Sequence, residues 1–250
     1  SGDQKSIFFE IFFKSLKKKI KSPIILISSL ELLISNMKKY KFRKKIKIVN
    51  LKSIKNENLS NNSINIVNTD DFQIGSKKNI DFIKKCFELS LKILKTGVTN
   101  KFINGPINKE TFLHRSYPGI TEYIARKTRT KKYAMLIYNK NLSVCPITTH
   151  IPLKRVNKLI TKKLIVEKVR LINSFYKKVR KIKPKIGVTG LNPHCESTDK
   201  YNEDVKIIKP TINYLKKQGY KISGPIPADT IFLKNNRENY DVILGMYHDQ

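Results

Sequence analysis

Residues 185–194, which read KIGVTGLNPH, decide the fold of this chain. Their first five residues form a short β-branched and aliphatic run, which is typical of a buried strand, and Gly190 ends it. A polar loop that carries His194 follows, and then an amphipathic segment over residues 203–218. A strand, a polar turn and a helix in this order are typical of an α/β unit.

The same alternation of strand and helix patterns runs along the rest of the chain. Helices are predicted over residues 6–19, 30–40, 79–95, 121–127, 161–181 and 203–218, the last with a kink at Pro210. Strands are predicted over residues 23–28, 46–50, 64–67, 133–138, 142–148, 185–189 and 241–245. We therefore predict an α/β fold with a largely parallel sheet.

Three of the four histidines lie in polar loops just after predicted strands: His150, His194 and His248. Ligands bind at the carboxyl ends of the strands in open α/β sheets. Neutral imidazoles that converge there would suit a catalytic divalent metal with an open coordination position. The alternative is three unrelated loop histidines.

The charge of the chain is strongly positive, with 51 Lys and Arg against 19 Asp and Glu, a net charge of +32. Such a charge attracts polyanions. The lysines are spread over nearly every predicted helix, and no nucleic-acid-binding motif accompanies them. We therefore expect no specific nucleic-acid partner, and we attribute the charge to a compositional bias toward Lys, Ile and Asn.

The cysteines and the apolar segments bear on the compartment. Cys86, Cys145 and Cys195 are scattered without paired spacing, which is typical of reduced thiols. The apolar run over residues 23–34 is too short and too polar to span a bilayer. A cytoplasmic protein without a membrane partner is expected.

Six short strings resemble, in order, those of the 4-hydroxythreonine-4-phosphate dehydrogenase family of pyridoxal phosphate (vitamin B6) biosynthesis. They are residues 105–109 (GPINK), 118–123 (PGITEY), 148–153 (TTHIPL), 190–194 (GLNPH), 224–230 (GPIPADT) and 246–250 (MYHDQ). Each string alone is weakly specific, but the ordered set covers nearly the whole chain and is strongly specific.

The resemblance implies a fold like that of isopropylmalate and isocitrate dehydrogenases, with two α/β/α lobes around a cleft. It also implies an NAD-dependent homodimer whose active site lies at the subunit interface. We expect residues 1–105 together with 241–250 to form the first lobe and residues 106–240 to form the second.

The resemblance further assigns the site. It implies that His150, His194 and His248 hold a divalent metal (Zn, Mg, Co or Mn), that Thr121 binds substrate, and that Lys109 and Asp229 line the same pocket. Lys109 would meet the substrate phosphate or be one more solvated lysine. Asp229 would be a general base or orient an imidazole, or else cap the following turn. Cys195 beside His194 is either a further ligand or a buried thiol.

The implied reaction is the oxidation and decarboxylation of 4-phosphooxy-L-threonine to 3-amino-2-oxopropyl phosphate. Ile120 stands where the family has a histidine that contacts the substrate phosphate, so affinity for that phosphate should fall. Residues 195–200 also depart from the family's Gly-rich loop. A dehydrogenase for erythronate or threonate 4-phosphate is therefore an alternative.

The cofactor-binding residues are not predicted, because the chain has no GxGxxG fingerprint. Against the family pattern the chain looks truncated at both ends, and the missing carboxyl-terminal part would supply much of the NAD site. A non-catalytic relic that binds metal or polyanions is thus a further alternative.

Overall fold

The computed structural model describes residues 2–3, 6–69, 79–113, 116–195 and 202–250, without the side chains of residues 110 and 111. These residues form two compact units, one over residues 1–116 and the other over residues 117–250. Among the helices so described, none is long and apolar enough to cross a membrane.

The first unit contains a three-stranded parallel sheet in the order β1-β3-β2, formed by β1 (Ile25–Ser28), β2 (Lys45–Ile48) and β3 (Ser63–Asn68). Its helices are α1 (Phe8–Leu16), α2 (Leu30–Lys39), α3 (Asn79–Thr96) and α4 (Lys109–Leu113), with a 3₁₀ turn at Ile54–Asn56. The Ser29 side chain caps α2 by accepting a hydrogen bond from the Leu32 N–H. Gly97, with φ of +81°, ends α3 as its position in the sequence predicts.

The second unit contains a four-stranded parallel sheet in the order β4-β7-β5-β6. Its strands are β4 (Ser143–Thr148), β5 (Ile186–Thr189), β6 (Ile222–Ile226) and β7 (Val242–Tyr247). The helices are α5 (Ile120–Lys127), α6 (Val156–Leu159), α7 (Lys162–Arg180), α8 (Lys209–Lys217), α9 (Ala228–Ile231) and α10 (Lys234–Arg237). Single turns of 3₁₀ helix lie at Leu153–Arg155 and Pro193–Cys195, and a π-helical turn lies at Asp204–Ile208.

The core of the second unit forms between its sheet and helix α7. The helix buries Ile165, Val169, Ile172 and Tyr176, whose spacing of three to four residues places them on one face. The Tyr176 hydroxyl lies 3.0 Å from Ser143 Oγ and 2.9 Å from the Asp241 carbonyl oxygen. These contacts fix α7 against the amino-terminal ends of β4 and β7.

Pro146 lies in β4, an outer strand of this sheet. The Ser143 N–H donates to the Asp241 carbonyl, on the β7 side. The Val144 N–H donates to the Ile137 carbonyl, on the opposite side. Because successive residues of a strand alternate, Pro146 faces the same side as Val144, away from β7. A proline there removes no hydrogen bond from the ladder.

Three local predictions differ from the structure. Residues 133–138 form no strand, and their pairing is a single antiparallel bridge between Ile137 and Val144. The helix predicted over residues 203–218 is not uniformly α-helical: the π-helical turn Asp204–Ile208 continues directly into α8, and Pro210, which has no N–H to donate, lies just after it. Strand β6 was not predicted, because Gly224 and Pro225 within it are residues typical of turns. Both residues are tolerated in β6 because it is an edge strand.

The observed units also differ from the expected lobes. Strand β7 pairs with β4 and β5, so residues 241–250 belong with the second unit and not the first. The division falls at residue 116 and not at 105. The Asp3 N–H donates to the Pro106 carbonyl over 2.8 Å. This contact ties the start of the chain to the segment after residue 105, which keeps that segment in the first unit.

Candidate functional site

The three strand-end histidines follow adjacent parallel strands of the second unit. His150 comes after β4, His248 after β7 and His194 after β5. In the β4–β7 register Thr148 lies beside Tyr247, so the loops that carry His150 and His248 start side by side. All three loops therefore leave the carboxyl edge of the sheet, where α/β folds bind ligands.

The structure brings two of these imidazoles together. The ring centroids of His150 and His248 lie 5.8 Å apart, with the ring planes tilted by 31°. Both rings line a cavity of about 250 Å³ whose other walls are Thr148, Ile151, Leu153, Val156, Tyr247 and Asp249. His194 does not line this cavity; it is exposed in the turn Pro193–Cys195, with φ of +57°.

Each of the paired imidazoles has a carboxylate at Nδ1. Glu122 Oε2 lies 3.3 Å from His150 Nδ1, and Asp249 Oδ1 lies 2.8 Å from His248 Nδ1. A carboxylate only accepts hydrogen bonds, so both contacts favour the proton on Nδ1 and a lone pair on Nε2. Histidines that bind metals usually have this arrangement, in which the second nitrogen donates to a carboxylate or carbonyl.

The separation of the two ring centroids is compatible with imidazoles that share one divalent ion. Ligands at about 2.0–2.1 Å from one zinc ion place two imidazole centroids roughly 5 to 6 Å apart, which agrees with the observed separation. In the part of the chain that the structure describes, however, no three His, Cys, Asp or Glu side chains form a group that could hold a metal. The participation of His194 as a third ligand therefore stays a prediction.

The loop that carries His194 is held by a buried carboxylate that sequence reasoning missed. Asp204 is fully buried and accepts hydrogen bonds from the Leu191 N–H (2.7 Å), the Asn192 N–H (2.9 Å) and Asn192 Nδ2 (2.9 Å). Gly190 leaves room for this contact, since a Cβ there would lie 2.9 Å from Asp204 Oδ1 and 2.5 Å from Cys195 Sγ. Asp204 lies more than ten residues downstream, so no local pattern reveals it.

Gln250 joins the ends of β5 and β7. Its side-chain oxygen accepts hydrogen bonds from the Met246 N–H and the Thr189 hydroxyl, both at 2.7 Å. Its side-chain nitrogen donates to the Gly190 carbonyl at 2.6 Å. The conformation of the MYHDQ segment, and so the position of His248, is thereby tied to the neighbouring strand.

The remaining predicted residues lie in different places. Thr121 lies in the first turn of α5, beside Glu122, and is half-buried. Asp229 lies in the first turn of α9 and its side chain is exposed. The N-cap residue of this helix is Pro227, so the alternative in which Asp229 caps the turn is wrong. Lys109 is exposed at the start of α4, in the first unit. Cys195 is a buried thiol.

Of the two departures from the family pattern, the structure describes Ile120 but only the first residue of the altered loop. Ile120 is the first residue of α5, after the N-cap Gly119, and no side chain caps this helix. An isoleucine therefore occupies the helix start that carries Thr121. Residues 196–200 of the altered loop lie outside the described residues.

Glu122 also affects a buried lysine. Lys168 on α7 is only 8% exposed and donates to the Tyr133 carbonyl. Burial lowers the pKa of Lys168 below its usual value, and the charges of Cys145, Glu167 and Glu122 oppose that shift. Burial likewise raises the pKa of Tyr133, and Glu122 contributes to the rise. The charge of Glu122 thus favours the protonated form of Lys168 on α7.

Comparison with known proteins identifies the family of this chain. The model of the family described as pyridoxal phosphate biosynthetic protein PdxA matches residues 19–250. The 4-hydroxythreonine-4-phosphate dehydrogenase of Sulfurihydrogenibium sp. (strain YO3AOP1) is 35% identical over 260 residues, covering 100% of this chain and 79% of that enzyme. The D-threonate 4-phosphate dehydrogenase of Pectobacterium atrosepticum is 32% identical over 174 residues, covering 68% of this chain and 53% of that enzyme.

The fold is shared with solved enzymes of the same kind. A crystal structure of the 4-hydroxythreonine-4-phosphate dehydrogenase from Klebsiella pneumoniae superposes with a TM-score of 0.79 at 27% identity, covering 99% of this chain and 78% of that one. The α/β class and the likeness to isocitrate and isopropylmalate dehydrogenases are thereby confirmed. Taken with the family match over residues 19–250, this shows that the chain belongs to the PdxA family of pyridoxal phosphate biosynthetic dehydrogenases.

Proposed function

We propose that this protein catalyses the NAD-dependent and metal-dependent oxidation and decarboxylation of 4-phosphooxy-L-threonine to 3-amino-2-oxopropyl phosphate. One observation supports the metal-dependent part above all: His150 and His248 face one cavity, and each has a carboxylate at Nδ1. Family membership supports the dehydrogenase part, since the relatives are named for that activity.

The residues that would hold the divalent ion are His150, His248 and, as the third, His194. When bound, the ion would act as a Lewis acid that polarises the alcohol oxygen to be oxidised and the ketone oxygen formed from it. With the proton on Nδ1, beside the carboxylates, the imidazoles would present Nε2 lone pairs to the ion. Histidine ligands suit Zn, Co or Mn better than Ca, and Mg is included because the family tolerates it.

The substrate and its surroundings follow the family pattern in our proposal. Thr121 binds substrate beside His150 and Glu122, Lys109 attracts the phosphate as a point charge, and Asp229 accepts a proton from substrate or orients an imidazole. A homodimer in the cytoplasm is proposed as well. The three buried cysteine thiols support the compartment, since thiols persist in reducing surroundings.

Turnover with and without chelated metal tests the proposal. NADH formation from 4-phosphooxy-L-threonine should disappear after treatment with a chelator and dialysis, and return when Zn, Co, Mn or Mg is added. Titration calorimetry with NAD, in the presence and absence of Zn, gives a second measurement. Turnover that persists after complete metal removal would contradict the metal site, and metal binding without NAD binding or turnover would favour a non-catalytic relic.

A second candidate substrate is D-threonate 4-phosphate. Relatives named for that substrate align with 68% of this chain, and Ile120 changes the start of α5 beside Thr121. The ratio of kcat/KM for the two phosphorylated acids distinguishes the candidates. A larger value for D-threonate 4-phosphate would overturn the first assignment.

The Ile120→His variant should bind the phosphorylated substrate more tightly. A hydrogen bond from imidazole to a charged phosphate contributes about 1.5 kcal/mol or more, so KM should fall roughly tenfold with little change in kcat. Ile137→His is the matched control, because Ile137 is exposed on the outer side of β4, and its KM should equal that of the wild type. Equal KM values for both variants would show that residue 120 does not contact the phosphate.

A further inference from the structure

The side chain of Glu122 makes two separate contacts at the base of the His150 loop. Its Oε1 accepts a hydrogen bond from the Thr149 hydroxyl at 2.9 Å, and its Oε2 lies 3.3 Å from His150 Nδ1. The carboxylate comes from α5, a different element from the loop, and only 14% of the side chain is exposed. One carboxylate therefore fixes two consecutive residues of the loop.

The absence of a side chain at Gly119 leaves room for this contact. A Cβ on Gly119 would lie 2.7 Å from Glu122 Oε2 and 2.7 Å from both Cε1 and Nδ1 of His150. Real Cβ atoms do not approach that closely, so a side chain at residue 119 would displace the Glu122 carboxylate or the His150 ring. The space that would hold a side chain at residue 119 is occupied by the imidazole and the carboxylate.

His150 itself is held in an unusual conformation. Its φ of +46° lies in the left-handed region, which non-glycine residues adopt only when surrounding contacts compensate for the strain. The Thr149 and His150 contacts to Glu122 are such compensation. They specify the direction of the imidazole as well as its protonated nitrogen.

The corresponding contact at His248 is of a different kind. Asp249 is the next residue in the chain, and its side chain is 89% exposed. A carboxylate on an exposed neighbour is held by little else and is exchanged readily for water. Of the two carboxylates, Glu122 is the one whose position is fixed by the fold.

We propose that Glu122 is a positioning residue that holds His150 in the Nδ1–H tautomer and directs its Nε2 into the cavity. It acts through His150 and touches neither metal nor substrate. The effect on metal affinity rests on the function proposed above, whereas the effect on the tautomer is a property of the metal-free protein.

The test compares two variants. Glu122→Met keeps the length of the side chain but removes both acceptor oxygens. Glu122→Gln keeps one acceptor oxygen, which Thr149 and His150 would share. Imidazole ¹⁵N NMR of the metal-free proteins reports the tautomer of His150. The wild type should show Nδ1–H, and Glu122→Met should shift toward the Nε2–H tautomer that free histidine side chains favour. Glu122→Gln should retain the wild-type tautomer at least in part.

Titration calorimetry with Zn²⁺ gives the second measurement. Removal of a carboxylate partner of a metal-binding histidine typically lowers metal affinity about 10- to 100-fold, which is expected for Glu122→Met. The affinity of Glu122→Gln for Zn²⁺ should fall less, between about twofold and tenfold. Glu238→Gln is the control, because it removes the same charge from an exposed position in the second unit and should bind Zn²⁺ like the wild type.

The outcomes separate this inference from the proposed function. A wild-type tautomer and an affinity within twofold of wild type in Glu122→Met would overturn the role of Glu122. If Glu122→Met fails to fold, Glu122→Gln decides, and an unchanged affinity in that variant also overturns it. If the wild type binds no Zn²⁺, the proposed metal site is wrong, while the tautomer comparison still decides the role of Glu122.

Discussion

Replacement of His150 by asparagine is expected to lower kcat/KM at least about 1000-fold, because a lost metal ligand removes several kcal/mol of transition-state stabilisation and each 1.36 kcal/mol is a factor of ten. Asparagine is the appropriate substitute, since it tolerates the left-handed backbone of residue 150 better than alanine. The folded state should survive, so the melting temperature should change little. Zn²⁺ affinity and steady-state kinetics measure the effect.

Lys154→Ala is the matched control for that variant. Lys154 lies four residues further along, in the exposed turn Leu153–Arg155, and its removal changes a charge near the cavity without removing a nitrogen ligand. Its kcat/KM should stay within a few fold of the wild type. Equal losses in both variants would mean that local charge, and not the imidazole, matters for turnover.

Replacement of Asp204 by asparagine is expected to reduce the free energy of unfolding by about 2–4 kcal/mol, because a buried charged acceptor loses bonds that contribute about 1.5–3 kcal/mol each and donors are left unsatisfied. In either orientation the amide nitrogen of asparagine faces a donor, either the Leu191 N–H or the donors of Asn192. Urea denaturation measures the loss.

The Asp204 variant should also affect the site, because residues 190–192 lead directly into His194. Metal affinity should fall together with stability if His194 is the third ligand. Glu203→Gln is the control: among the described residues Glu203 accepts a hydrogen bond from Asn192 Nδ2 at 3.1 Å, and the substitution should alter stability by less than about 1 kcal/mol. Equal losses in the two variants would contradict the special role of Asp204.

Much of the second unit could be predicted from local sequence patterns. The apolar runs that become β4, β5 and β7 are continuous, as buried parallel strands require, and α7 has a clear helical period. The position of each histidine after a strand followed from the same patterns. His150 and His248 lie together because β4 and β7 are neighbours, and that order is a property of the sheet, not of either segment.

Other features depend on contacts between distant residues. Residues 241–250 are expected in the first lobe, but their pairing with β4 and β5 places them in the second unit. Their own sequence does not show which strands they pair with. Asp204 acts on a loop 12 or 13 residues upstream, and Glu122 acts on residues 27 and 28 positions downstream. Glu122 lies in the string PGITEY, so the sequence does show an acidic residue beside Thr121. The sequence does not show which residues Glu122 contacts.

Pro146 has a consequence for assembly. On the outer side of β4 the Val144 N–H is already bound to Ile137, and residue 146 has no N–H to offer. A strand from another molecule would therefore find no row of backbone donors along β4, so the sheet should not continue across this edge into another subunit. The interface of the homodimer that we propose should accordingly not be built on strand pairing at β4.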